Sequence, residues 1–257
     1  MLEMNLDGRA TLVVGGSRGI GASVVEQVAA AGSKVAWTHL GTDKDQADSE
    51  KLMRLVEPHD REAMHFGVDC TDEVETRKLV ETLLEKWGAL DHMVYCAGYT
   101  SPVSMLDLDA EEWRRVVDIN LTGAFIAVRA VLPHMVGRGS GSMVLVGSAA
   151  IVAGGGGRAD YVSAKAGMEG LNRAITKEFA KQGIRCNVVH PSLIDTELLH
   201  TRHPDPETRA ELGKKVPIGR LGLPADVSAA TVFLLSDLAG YITGQNLFID
   251  GGRTFCG

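Results

Sequence analysis

The stretch "ATLVVGGSRGIGASVVEQVAAAG", residues 10–32, decides the fold. Its opening, "ATLVVGG" (10–16), is a short apolar run ending in glycines and reads as a buried strand entering a turn. "ASVVEQVAAAG" (22–32) changes to helical periodicity, with Gly32 placed like a C-cap. Between them Gly15, Gly19 and Gly21 follow the spacing G-x-x-x-G-x-G, with Ser17, Arg18 and Ile20 filling the loop. A strand, a glycine loop and a helix start together suit a pyrophosphate. The glycines let the chain turn tightly and bring bare backbone close, and the helix offers free N–H groups and the positive end of its dipole. A glycine turn alone is also an ordinary way to join a strand to a helix, so the rest of the chain has to decide.

Outward from this stretch the same rhythm repeats. Apolar runs at 34–40, 63–69, 91–98, 142–148, 184–191 and 246–250 read as further strands. Helical patterns occupy 43–57, 71–88, about 109–137 (as one piece or two), 160–182 and 224–237. The helix at 71–88 is amphipathic, with Thr71 as its N-cap, carboxylates in its first turn and Gly88 at its end. Strands alternating with helices of this length imply parallel pairing, right-handed crossovers and helices on both faces. The expected architecture is α/β: one doubly wound domain over 1–257 on a mostly parallel, seven-stranded sheet.

Composition narrows the function. The chain has 257 residues, 45% hydrophobic and 23% charged, with a net charge of −7. That balance argues against a nucleic-acid partner, which needs clustered lysine and arginine. The start "MLEMNLDGRA" lacks the pattern of a signal peptide, and no uninterrupted apolar run reaches the roughly 18 residues of a membrane span. Cys70, Cys96, Cys186 and Cys256 are widely spaced, without a C-x-x-C pair, and fit free thiols in a cytoplasmic protein. His200 and His203 have no neighbours at metal-ligand spacing, so no metal is expected.

An acid that binds the ribose 2′-hydroxyl of NAD is expected about 20 residues beyond the glycine loop. Here that region reads "WTHLGT" (37–42), without an acid until Asp43. Arg18 sits inside the loop, where a guanidinium attracts a 2′-phosphate, and Thr38 and His39 can add hydrogen bonds. NADP(H) is therefore favoured, with NAD(H) the alternative.

A second motif, "YVSAK", places Tyr161 and Lys165 one helical turn apart on one face. Alone, such a pair reads as a helix-surface contact. It stands, however, in an ordered series: the glycine loop at 15–21, Asp69 after the third strand, "CAG" at 96–98, "NLTG" at 120–123, Ser148, "HPSLIDT" at 190–196 and "ITGQNLFIDGG" at 242–252. With these motifs the chain resembles the classical short-chain dehydrogenase/reductase family over essentially its full length.

That resemblance implies a Rossmann-type fold and hydride transfer between NAD(P)(H) and a small-molecule carbonyl or alcohol. It implies that Tyr161 is the acid in reduction and the base in oxidation. Lys165 binds the nicotinamide ribose and lowers the phenol's pKa, Ser148 holds the substrate oxygen, and Asn120 holds a water linking Lys165 to solvent. Asp69, with Cys70 beside it, lies near the adenine; for Asp69 a plain turn or N-cap role is an equal reading. Ala97 and Gly98 let the cofactor pass, and Pro191, Ile194 and Thr196 lie at the nicotinamide. There are four departures from the family pattern: Val14, the pair Tyr95-Cys96 in place of asparagines, Ser192 in place of a glycine, and Leu40 in place of a basic residue.

The resemblance places the substrate pocket among 99–104, 149–160 and 193–215. The last of these is polar and reads as a lid or as a plain surface excursion. Arg158, His200 and Arg202 are candidates to meet an anionic substrate, and the glycines at 154–157 could admit a bulky group. Sugar or polyol, acyl thioester, steroid-like and small aromatic ketones all stay open. Residues 120–137 are apolar on nearly every face and 164–180 on much of theirs, which with the resemblance points to a homotetramer or homodimer. A catalytically idle NADP(H)-binding sensor or scaffold on the same fold is the alternative to an active enzyme.

Overall fold

The computed structural model describes residues 4–100, 103–154 and 158–255. Its strands are β1 (Ala10–Val14), β2 (Lys34–His39), β3 (Ala63–Gly67), β4 (His92–Tyr95), β5 (Gly141–Val146), β6 (Ile184–Pro191) and β7 (Asn246–Ile249). They form one seven-stranded sheet in the order β3-β2-β1-β4-β5-β6-β7. Every pairing is parallel; Leu12, for example, lies opposite Ala36 on one side and Met93 on the other. The helices are α1 (Gly19–Ala30), α2 (Asp43–Val56), α3 (Glu73–Trp87), α4 (Ala110–Val117), α5 (Gly123–Arg138), α6 (Ala150–Ala153), α7 (Ala159–Phe179), α8 (Glu197–Arg202), α9 (Pro206–Lys214) and α10 (Pro224–Leu235).

Strand alternation divides the core into two layers. Leu12, Met93, Tyr95, Met143 and Leu145 point to the face covered by α3, α5 and α7. Val13, Val94, Val144 and Val146 point to the other face, with Val24, Val25 and Val28 of α1 and Val227, Val232 and Leu235 of α10. Because both faces are buried, the strands read as unbroken apolar runs. The chain winds outward in opposite directions from β1 and β4. The crevice at their carboxyl ends is the topological switch point, where α/β sheets bind ligands.

Several boundaries differ from expectation for local reasons. Asp72, not Thr71, caps α3, and its carboxylate accepts from Glu75 N at 2.9 Å. The Thr71 hydroxyl instead donates to Asp69 Oδ1 at 2.8 Å, inside a turn that Asp69 closes. Gly88 ends α3 at φ +74°, as expected, and Gly32, at φ +100°, follows the Ala31 cap of α1. The long apolar stretch is one continuous helical run over 110–138, with a wide π-type turn at Asp118–Thr122 joining α4 to α5. Among the described residues, 110–138 is the one helical stretch long and apolar enough to cross a membrane. In the fold, α5 packs against β4, β5, α3 and α7 instead. That coverage is wider than the sheet alone, and Phe125 is the large apolar side chain it leaves exposed on α5, at 46%.

Arg185 on β6 ties the end of α10 to the sheet. Its guanidinium donates to the carbonyls of Leu234, Leu235 and Ser236 at 2.6, 2.9 and 3.0 Å, taking up acceptors that the helix end leaves unpaired. Arg185→Met is expected to lower the unfolding free energy by about 2 kcal/mol in urea titration. A change below about 0.5 kcal/mol would show that this clamp is not a stabilising contact.

Candidate active site

The glycine loop leaves β1 at the switch point. Gly15 has φ +79°, and a Cβ placed there would lie 2.6 Å from Ala97 N, so the loop and the chain leaving β4 touch backbone to backbone. Gly15 N donates to Thr38 Oγ1 at 3.1 Å and Gly16 N to Thr38 O at 3.0 Å, which fixes the loop against β2. No side chain caps α1 and no acid stands in its first turn. Its first N–H groups thus face the crevice uncompensated, a donor set that suits a dinucleotide's phosphates.

At the outer end Thr38 and His39 are engaged within the protein. Both are buried and turned inward. Thr38 buttresses the glycine loop as above. His39 Nδ1 accepts from Gly41 N at 3.0 Å and its Nε2 meets His65 Nδ1 at 3.1 Å. Leu40 is the exposed residue at the end of β2. Arg18 is not a lone cation. It donates to Asp45 Oδ1 at 2.6 Å, with Asp48 at 3.9 Å and Glu197 at 3.7 Å. Asp45 is 2% exposed and also accepts from the Thr42 hydroxyl at 2.7 Å. Asp69 closes the turn before α3, and Cys70 is buried beneath Gly123.

At the inner end α7 carries Tyr161 and Lys165 one turn apart, with Lys165 Nζ 5.7 Å from the centre of the phenol ring. The ammonium donates to Val146 O at 2.8 Å, at the end of β5 and two residues before Ser148. Burial pushes Lys165 down to about 8, against the upward pull of the Cys96 and Cys70 thiols. Burial also raises the Tyr161 phenol, while a hydrogen bond with the Ser148 hydroxyl and the charge of Arg202 pull it back down. In this arrangement the ammonium is engaged with a backbone carbonyl, and the downward pull comes from Ser148 and Arg202.

Asn120 lies in the wide turn before α5. Its Nδ2 donates to Tyr99 O at 2.7 Å and Val116 O at 2.8 Å. Its Oδ1 is buried and without a partner among the described residues. A Cβ on Gly98 would lie 3.1 Å from that oxygen and 3.6 Å from Lys165 Nζ, so the two polar atoms share the space beside Gly98. Two residues that hold this site went unassigned in the sequence. Tyr95 Oη donates to Ile119 O at 2.5 Å and so supports the turn carrying Asn120. His190 Nδ1 accepts from Ser148 N at 3.1 Å, and its ring stacks on Phe248 with centroids 4.8 Å apart. A lone tyrosine in an aliphatic strand and a buried histidine before a proline were the available signals.

These groups meet in a cleft of about 180 Å³ lined by Ile20, Cys96, Gly98, Ser148, Tyr161, Lys165, Pro191, Ile194 and Thr196, with Arg202 and Arg253 at its edge. Thr196 lies beside Gly19, its Cγ2 3.5 Å from where a Gly19 Cβ would be. Thr38, His39, Asp69 and Cys70 do not line the cleft. Arg158 is outside it, at the start of α7, and His200 pairs with Asp195 at 2.6 Å. Gly155, Gly156 and Gly157 of the glycine run lie outside the described residues. The expected 193–215 segment contains α8, which reaches the cleft through Leu198, Leu199 and Arg202, and α9.

A family model described as enoyl-(acyl carrier protein) reductase matches residues 14–254. The 3-oxoacyl-(acyl-carrier-protein) reductase FabG of Escherichia coli is 34% identical over 249 residues, covering 97% of this chain and 98% of the relative. An L-rhamnose 1-dehydrogenase (NAD(P)(+)) of Azotobacter vinelandii is 34% identical over 250 residues, with 97% and 98% covered. Among solved structures, levodione reductase superposes with a TM-score of 0.90 at 28% identity, covering 98% of this chain and 99% of that one. A short-chain type dehydrogenase/reductase from Mycobacterium ulcerans gives 0.90 at 30% identity, covering 97% and 91%.

The depressed Lys165 pKa has a stability consequence. Below about pH 8 the folded state carries a buried ammonium, and between about 8 and 10.5 it sheds that proton while the unfolded chain keeps it. Lysine at this position therefore costs stability at neutral pH, and the cost shrinks as pH rises. Lys165→Met is expected to melt higher than the parent at pH 7, with the gap closing towards pH 10. A gap that is absent, or that widens with pH, would contradict the buried ammonium.

Proposed function

Because this chain belongs to the short-chain dehydrogenase/reductase family of oxidoreductases acting on CH–OH groups, we propose that it interconverts a small ketone or aldehyde and its alcohol. The observation that carries this reading is the meeting of Ser148, Tyr161 and Lys165 in one cleft beside the glycine loop, with Asn120 behind Gly98. The bound dinucleotide supplies and accepts the hydride. Gly15, Gly19, Gly21 and the start of α1 would hold its phosphates, Ala97 and Gly98 its passage across β4, and Pro191, Ile194 and Thr196 its nicotinamide end.

The chain's own groups manage the proton. Ser148 Oγ holds the substrate oxygen beside Tyr161, and the phenol delivers its proton there in reduction or removes it in oxidation. A phenol raised by burial is a poor base, and the pull of Ser148 and Arg202 offsets part of that shift. Lys165 binds the ribose hydroxyls and, with Asn120 Oδ1, flanks the space beside Gly98. A water there would pass the proton on towards solvent. α8 closes over the cleft as a lid. Phe125 on α5, and Tyr241, Leu247 and Phe255 around β7, are exposed and supply two apolar surfaces for a homotetramer in the cytoplasm.

For the cofactor, NADP(H) is the first choice, on the guanidinium of Arg18 and the lack of an acid at the end of β2. The carboxylates of Asp45, Asp48 and Glu197 around Arg18 favour the second reading, NAD(H), because they repel a 2′-phosphate. Arg18→Ala is expected to weaken NADPH about tenfold or more and NADH by less than about threefold, in calorimetric titration. Equal losses would remove Arg18 as the reader of the phosphate.

The test of the chemistry is Tyr161→Phe. It is expected to lower turnover by about a thousandfold or more while the dissociation constant for NADPH stays within about twofold. Retained turnover on any ketone that the parent reduces would overturn the proton role of Tyr161.

A further inference from the structure

The edge of the cleft has a charge pattern that the carbonyl chemistry does not require. Its lining contains three cations, Lys165, Arg202 and Arg253, and no aspartate or glutamate among the described residues. Arg202 comes from α8, and its Nη2 donates to Thr100 Oγ1 at 3.3 Å, joining the lid to the chain beyond β4. Arg253 comes from the turn after β7, and its Nη1 donates to Ser192 Oγ at 3.1 Å. Ser192 is a position where the sequence departs from the family pattern.

The acids nearest in sequence are engaged elsewhere: Asp205 caps α9, accepting from Glu207 N and Thr208 N at 3.2 and 2.9 Å, and Glu197 pairs with Lys44 at 2.8 Å. Asp195 pairs with His200 at 2.6 Å. Asp250 accepts from Gly252 N, Thr254 N and Thr254 Oγ1 at 2.9, 2.8 and 2.5 Å, closing its own turn. Arg253 has no carboxylate within 4.0 Å among the described residues.

From this geometry we propose that the substrate is a small oxo acid or hydroxy acid whose carboxylate is held by Arg202 and Arg253 while its carbonyl or alcohol oxygen lies at Ser148 and Tyr161. The proposal rests on the oxidoreductase reading above and deepens it. Guanidinium groups match a carboxylate in shape and charge, and two of them approaching from different elements fix its direction as well as its position. A bound carboxylate would also offset the charge of Arg202 on the phenol, which favours the protonated form that reduction needs. Arg202 sits on the lid, so substrate charge would draw α8 down over the reacting groups.

The test is calorimetric titration of the NADP⁺-saturated protein with short oxo acids and their primary amides: pyruvate, acetoacetate and levulinate against pyruvamide, acetoacetamide and levulinamide. With the oxidised cofactor these ketones bind without turning over. At least one acid is expected to bind about tenfold or more tightly than its amide. Arg253→Met and Arg202→Met should each bring that ratio towards one, with NADP⁺ affinity unchanged. Acid and amide binding alike, or no acid binding, would overturn the proposal. Variants that weaken NADP⁺ and leave the ratio intact would also overturn it, by assigning the arginines to the cofactor's phosphates. The oxidoreductase reading is read out separately, by NADPH-dependent reduction of the amides in the parent and its loss in Tyr161→Phe.

Discussion

Gly15 and Ala97 lie so close that a single methyl group between them would collide with backbone. That approach is possible because β1 and β4 are adjacent strands from which the chain winds away in opposite directions. The crevice, the uncapped start of α1 and the position of Gly98 beside Lys165 all depend on it. If the loop stood off by the width of a side chain, Thr38 could no longer accept from Gly15, and the floor of the cleft would be lost. The glycines are thus placed by contact between two strand ends as much as by the ligand they face.

The reacting groups are held by backbone more than by one another. Lys165 is anchored on Val146 O, Asn120 on the carbonyls of Tyr99 and Val116, and the Ser148 loop on His190. The remaining polar atoms, Lys165 Nζ and Asn120 Oδ1, point into shared space beside a glycine. Burying an ammonium with one carbonyl partner is costly, and its pKa near 8 reports that cost. Keeping a destabilised group in this place is expected where function, not stability, selects the residue.

Much of this was legible in the sequence because it rests on short-range pattern. The seven strands follow from apolar runs, α3 from its period and its closing glycine, and the glycine loop from its position between β1 and α1. What was not legible depends on direction or on long-range contact. In a strand buried on both faces, nothing in the apolar pattern says that Thr38 faces the glycine loop or that His39 reaches His65. Arg18 read as a free cation because Asp45 and Glu197 come to it from α2 and α8. Tyr95 read only as a departure from the family pattern because its partner, Ile119 O, lies on a distant turn. Arg202 read as one of several scattered charges, and it was the return of the chain after β7 that set Arg253 at the same cleft. The family motifs named the reacting groups, but not the pull of Ser148 and Arg202 on the Tyr161 phenol.

The central claim is that the glycine loop and the Tyr161 cleft form one continuous dinucleotide site. Calorimetric titration of the purified chain with NADPH and with NADH tests this most directly, since it needs no substrate. The account predicts one binding event per chain for at least one of them, tighter for NADPH, and loss of that event in Gly15→Val, whose side chain would meet Ala97. Binding of neither dinucleotide by the folded parent, or undiminished binding by Gly15→Val, would contradict it.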